Sequence, residues 1–125
     1  MASLVNCLLP RDTEADGARL FDWDSWHIDV GTSDLVYMIV MHWYPDRRRR
    51  YERHLLDRYH GTLLARGGRG YDRRALDDDF RLPVLLRIMT PVWQAAANIP
   101  RVIWWSHLEL IFLAVDDLDC RELLD

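Results

Sequence analysis

Leu35 to Met41 is an unbroken apolar run, and it constrains this chain more than any other stretch. It is far shorter than the roughly 20 residues a membrane helix needs, so its hydrophobicity has to be satisfied inside a folded protein. Apolar on nearly every side, it reads as a helix over Ser33 to Trp43 that is buried among other elements. Ser33 or Asp34 is placed to cap its start, and Tyr44-Pro45 ends it. Other helices must then be present to wrap it.

The stretch beyond Pro45 supplies them. Asp46 to Ala65 carries Tyr51, Leu55, Leu56, Tyr59, Leu63 and Leu64 on one face at helical spacing, with Asp46 as cap and Gly67-Gly68 as stop. Asp72 opens a long helical stretch through Leu76, Phe80, Val84, Leu85, Ile88, Met89, Val92 and Trp93, in which Asp77, Asp78 and Asp79 suit the positive end of the helix dipole. Pro83 and Pro91 predict a kink there, or a restart with Thr90 as cap. Asn98 to Arg101 is a turn. Ser106 and Glu109 have the form of a capping box for an apolar helix ending near Val115, and a start near Val102 is equally compatible. Asp119 to Leu124 closes the chain as a short helical turn.

Before the buried helix the pattern is extended. Residues 3–9 are apolar and end at Pro10, Arg11 to Ala18 is turn chemistry, and Arg19 to Asp24 alternates as a strand. In that strand Leu20, Asp22 and Asp24 point one way, and Phe21 and Trp23 point the other and can bury. The two strands form a β-hairpin that brings Asn6 near Asp22. The fold class is therefore α+β, mainly α, an N-terminal β-hairpin followed by a helical lobe in one domain over 1–125.

Composition narrows the chemistry. At 125 residues, 50% hydrophobic and with six Trp, the chain can bury a real core. The formal charge of −4 argues against a general nucleic-acid binder, and the basic run Arg47 to Arg50 reads as a solvated helix start. Every cation is Arg, and the absence of Lys excludes a phosphate-loop lysine, a Schiff base and a nucleotide-clamping lysine. Cys7 and Cys120 belong to no Cys-x-x-Cys unit and read as buried free thiols. No segment reads as membrane-spanning or as a secretory signal, so a cytoplasmic location is expected. His27, His42, His54, His60 and His107 show no metal-binding spacing. Gly67-Gly68-Arg69-Gly70 follows a helix, which is the wrong context for a phosphate-cradling loop. Trp93, Trp104, Trp105 and Glu109 either line a pocket for a cationic substrate or pack in the core.

The segment Leu20-Phe21-Asp22-Trp23-Asp24, followed by Gly31 and by Asp34-Leu35 opening the apolar helix, resembles the metal-binding segment of the aminoglycoside phosphotransferase and choline-kinase-like small-molecule kinases. Leu4-Val5-Asn6-Cys7-Leu8-Leu9-Pro10 resembles the end of their catalytic loop and the strand after it. The helices after Pro45 are similar in order and length to that family's C-terminal lobe. The resemblance implies a kinase-like helical lobe in which Asn6 and Asp22 hold Mg2+ with ATP. Asp24 would assist through a water or hold the turn, and Asp34 would brace the catalytic loop. The reaction implied is γ-phosphoryl transfer to a hydroxyl of a small molecule, the family's acceptors being amino sugars, choline-like alcohols, sugars and steroids.

The family's catalytic Asp lies five residues before that Asn, a position held here by Met1. No catalytic residue is therefore assigned, and the chain is expected to be a truncated lobe, inactive in isolation and binding magnesium-nucleotide weakly. Apolar surface around Leu4, Val5, Leu8 and Leu20 predicts self-association. The rival expectation is a non-enzymatic helical interaction module.

Overall fold

The computed structural model describes residues 7–8, 10–11, 17–21 and 27–125. Strands β1 (Cys7–Leu8) and β2 (Arg19–Leu20) pair antiparallel, Cys7 with Leu20 and Leu8 with Arg19. Helices α1 (Ser33–Val40), α2 (Pro45–Ala65), α3 (Arg73–Leu86), α4 (Met89–Ala96) and α5 (Arg101–Asp117) follow, and a terminal 3₁₀ turn covers Cys120–Leu124. The described chain is thus mainly helical, with a short antiparallel strand pair near its start.

The apolar run does form the centre. Val36, Ile39, Val40 and Met41 are at most 1% exposed and pack with Leu56 of α2, Leu76, Phe80 and Val84 of α3, and Ile111, Ala114 and Val115 of α5. The i, i+4, i+8 spacing of Leu76, Phe80 and Val84 sets them above one another on one side of α3. α1 ends at its C-cap Met41, earlier than Trp43. In α2 the buried face runs through Leu55, Leu56, Tyr59 and Leu63, whereas Tyr51 and Leu64 are exposed.

The helix ends correct several readings and explain them. The N-cap of α1 is Thr32, not Ser33 or Asp34, and its hydroxyl makes no bond to its own helix. It donates instead to the carbonyl of Asp79 in α3. That carbonyl is the one that Pro83, lacking an N–H, leaves without a helical partner, and α3 continues past its proline to Leu86. Pro91 acts differently. Thr90 donates to the Arg87 carbonyl, three residues back, and the helix breaks and restarts with Ile88, not Thr90, as N-cap.

α2 starts at Pro45 with Tyr44 as N-cap, so Asp46 lies in the first turn and not at the cap. Proline suits that first position because its missing N–H would have no helical partner there. The stop at Gly67 and Gly68 holds. Gly68 donates to Leu63 and Gly67 to Leu64, with Gly67 at φ +96° where a side chain would be strained. Asp72 caps α3 by accepting from the Ala75 amide at 2.8 Å. α5 starts at Arg101, so Ser106 and Glu109 form no capping box, and Ser106 donates back to the Ile103 carbonyl at 2.8 Å.

Candidate functional site

Asn6, Asp22 and Asp24 lie outside the described residues, as do Leu4, Val5 and Trp23. Among the described residues no group of three or more His, Cys, Asp or Glu is arranged to hold a metal ion. Phe21, expected to bury, is 44% exposed, and Leu8 and Leu20 are exposed beside it. The described residues that follow the Asp22 segment form a loop leading into α1.

The end of that loop next to α1, residues 29–33, is fastened at several points. Ser33 donates its amide to the Val30 carbonyl at 2.9 Å, and Asp29 accepts from the Val30 amide at 2.7 Å. Arg87, at the end of α3, donates to the Ser33 hydroxyl at 2.7 Å and sits 5.4 Å above the Tyr37 ring. The Ser33 hydroxyl in turn holds the Asp29 carboxyl below the usual carboxylate range, with the Val30 amide, His27 and Arg87 adding to the effect. Thr32 ties the loop to α3 through Asp79. Gly31 passes so close to α2 that a β-carbon there would meet the Tyr59 hydroxyl at 2.5 Å. Asp34 is exposed in the first turn of α1 and makes no hydrogen bond or ion pair among the described residues.

The basic run at the start of α2 is not simply solvated. Arg47 lies over Trp43 at 4.6 Å and Arg50 over Tyr51 at 5.3 Å. Arg49 grips Asp117 with two parallel hydrogen bonds of 2.8 and 2.7 Å. Arg48 is 2% exposed, donates to Glu52 at 2.8 Å and also bonds Asp117. Asp117 is held below the ordinary carboxylate range, chiefly by the Arg49 hydrogen bond. Glu52 is pushed up by burial, which outweighs Arg48. Sequence reasoning missed this network. Its signal was that Arg48 and Glu52 fall at i−8 and i−4 from Leu56, on the apolar stripe rather than opposite it.

A cleft of about 500 Å³ opens between α2 and α3, floored by Leu56, Phe80 and Leu118. Its charged rim is largely neutralised within the chain. Arg73 bonds Asp77 at 2.9 Å and also Asp57, and Arg81 bonds Glu122 at 2.9 Å and the Asp119 carbonyl. Asp77, Asp78 and Asp79 serve these contacts, Asp78 facing Arg81 and Asp79 accepting from the Tyr71 hydroxyl at 2.7 Å. They lie beyond the first turn of α3, so the ion pairs of Asp77 and Asp78 and the Tyr71 hydrogen bond to Asp79, and not the dipole, account for them. Cys120 beneath Arg81 is a buried free thiol, its pKa raised by burial. Among the described residues the cleft offers an ionic lattice and no nucleophile paired to a base.

Histidines are similarly engaged. His60 contacts the Tyr71 carbonyl at 2.8 Å, and His42 contacts the Tyr37 carbonyl at 2.9 Å. His107 meets Gln94 at 3.0 Å, with its ring 5.4 Å from that of His42. Trp93, Trp105 and Glu109 are exposed and Trp104 is half-buried, so this group neither encloses a pocket nor fills the core. Among the described residues no helix is long and apolar enough to cross a membrane.

No protein-family model, curated protein or solved structure matches the chain.

Proposed function

We propose that this chain is the helical, acceptor-side lobe of an ATP-dependent small-molecule phosphotransferase, with Asn6 and Asp22 as the ligands for Mg2+. The observation that carries the reading is the fastening of residues 29–33. A metal ligand that positions phosphates has to sit on a segment that does not give when charge develops, and here the segment after Asp24 leads into a loop tied to α2 and α3. The antiparallel pairing of Cys7–Leu8 with Arg19–Leu20 adds support, because a site built from one residue on each arm requires the arms side by side. Oxygen donors of the Asn and Asp type suit magnesium, which when bound would neutralise phosphate charge. Asp34, exposed and without a partner among the described residues, is available to brace a neighbouring loop.

The chain by itself should not catalyse transfer, since it contains no Lys to clamp the nucleotide and carries Met at the position of the family's catalytic Asp. The test is therefore binding. Magnesium-ATP titrated into the protein should shift the tryptophan indole resonances saturably, with a Kd in the millimolar range, about −4 kcal/mol. Asp22→Ala should abolish the magnesium-dependent part. Shifts that are equal without magnesium, or unchanged in the variant, would overturn the reading.

A second reading, a helical interaction module, is favoured by one specific observation. The outward faces of α4 and α5 expose Met89, Val92, Trp93, Val102 and Trp105.

A further inference from the structure

A helix that is apolar all round is normally buried all round. α5 departs from this. Its inner side is in the core, yet Val102, Trp105, Phe112 and Leu113 on its outer side are 40–77% exposed. The outer stripe has an internal order. Arg101, Trp105, Phe112 and Asp116 recur close to the helical repeat, so they stack along one line with a cation at the first end, two aromatics between and an anion at the last. Such a line is complementary to itself when reversed.

We propose that the outer face of α5 pairs antiparallel with the α5 of a second copy of this chain, about a two-fold axis passing between Leu108 and Glu109. At a rise of about 1.5 Å per residue, Trp105 and Phe112 then lie about 5 Å on either side of the axis, so each Trp105 meets the other copy's Phe112. Arg101 and Asp116 lie about 11 Å out, so each Arg101 meets the other copy's Asp116. This is the reciprocity an isologous interface demands, in which residue i contacts j and j contacts i. Val102 and Leu113 share one edge of the stripe and close it on that side.

The present contacts leave the charges available. Arg101 lies over the Trp105 ring at 5.3 Å, and among the described residues the Asp116 carboxylate pairs with the exposed Arg121 alone, at 3.0 Å. Glu109 sits beside the axis, where its like charge in the other copy weakens the pairing. One helix of 17 residues, about 25 Å long, gives a small interface, so a dimer in the micromolar range is expected.

Sedimentation equilibrium on the full chain tests this. The parent protein should dimerise, and Phe112→Glu should raise the dimer Kd roughly 100-fold or more, because both copies lose a buried aromatic. The charge reversals Arg101→Glu and Asp116→Arg should each be monomeric alone, since the first sets Glu against Asp and the second Arg against Arg. Mixed in equal amounts they should form a heterodimer, in which both end pairs are again of opposite sign. Circular dichroism confirms that each variant keeps its helices, and a variant that does not is replaced in the same test by Val102→Glu.

A parent that stays monomeric at about 100 µM would overturn the proposal, that being well above a micromolar Kd. So would a dimer that persists in Phe112→Glu, which would place the contact elsewhere, for instance at Leu8 and Leu20. Two reversals that remain monomeric when mixed would also exclude the antiparallel register.

Discussion

On its inner face α5 packs Leu110, Ile111, Ala114 and Val115 into the core, none more than 7% exposed, whereas on its outer face Val102, Trp105, Phe112 and Leu113 are all at least 40% exposed. Both faces carry large apolar side chains, so the presence of hydrophobic residues does not by itself distinguish them. Partners do. The inner face meets α1 and α3, and its C-terminal end is fixed by Arg48 and Arg49 gripping Asp117. The outer face, and that of α4 beside it, has no such partner among the described residues. Substitutions on the two sides should therefore differ sharply in cost.

The largest effect is expected at Arg48→Met. Removing one member of a buried ionic network leaves the others desolvated without compensation, about 3–5 kcal/mol. Glu52, already pushed up by burial, would lose the group that opposes that shift. With Arg48 gone the folded state holds the Glu52 proton to higher pH, so the cost should shrink as pH falls towards the carboxylate range. Arg49→Ala, by contrast, removes a two-pronged but exposed pairing with Asp117 and should cost clearly less. Urea denaturation of both variants at pH 7 and pH 5 checks the pair. Equal costs for Arg48 and Arg49 would mean that the network does not fasten the inner face.

Next is Thr32→Val, at about 1–2 kcal/mol, because it leaves the Asp79 carbonyl unsatisfied next to the core. A sharper test lies at Pro83. In a Pro83→Ala background residue 83 regains an amide that can bond Asp79 within the helix, so Thr32→Val should cost less there. A double-mutant cycle with no coupling would break the link between hydroxyl and proline.

These two cases show what the sequence could and could not disclose. Elements marked by local punctuation were legible: Tyr44-Pro45, Gly67-Gly68, Asp72 and the turn before Arg101 all lie at helix boundaries, and the hairpin pairs as expected where it is described. What escaped was set by distant partners. Pro83 looks like a breaker until Thr32, 47 positions before Asp79, satisfies the carbonyl that the proline releases. Arg48 looks like surface until an aspartate 69 positions later enters beside it. The chemistry read at Asn6 and Asp22 belongs to residues outside those described, so only the strand pairing beside them and the loop that follows Asp24 bear on it.

A smaller effect is expected from acid at the boundary between the two regions, where His107 of α5 sits against His42. Burial, and then the His42 ring, lowers the His107 pKa from its ordinary value of 6.5. The unfolded chain therefore takes up the proton first, so stability should fall as pH drops below about 6.5, until the folded histidine also titrates. Above that range His107 is neutral in both states and contributes no slope. His107→Gln should flatten this segment of the stability profile, and an identical profile in variant and parent would show that the site is open to water.

The smallest effect belongs to the outer face itself. Trp93 of α4 is 66% exposed, and the residues that hold α4 in place are others: Pro91, which is buried, and Gln94, which meets His107. Truncating such a side chain removes little area from the folded protein that was not already in water, so Trp93→Ser should change the stability of the monomer by no more than about 0.5 kcal/mol. The expectation runs against intuition, because tryptophan carries the largest apolar surface of any residue and its loss from a core costs about 3–5 kcal/mol. Chemical denaturation at a concentration too low for association separates the two cases. A cost above about 1.5 kcal/mol would mean that the outer face is packed against part of its own chain. In that case the contrast between the two sides of the α4 and α5 pair would disappear.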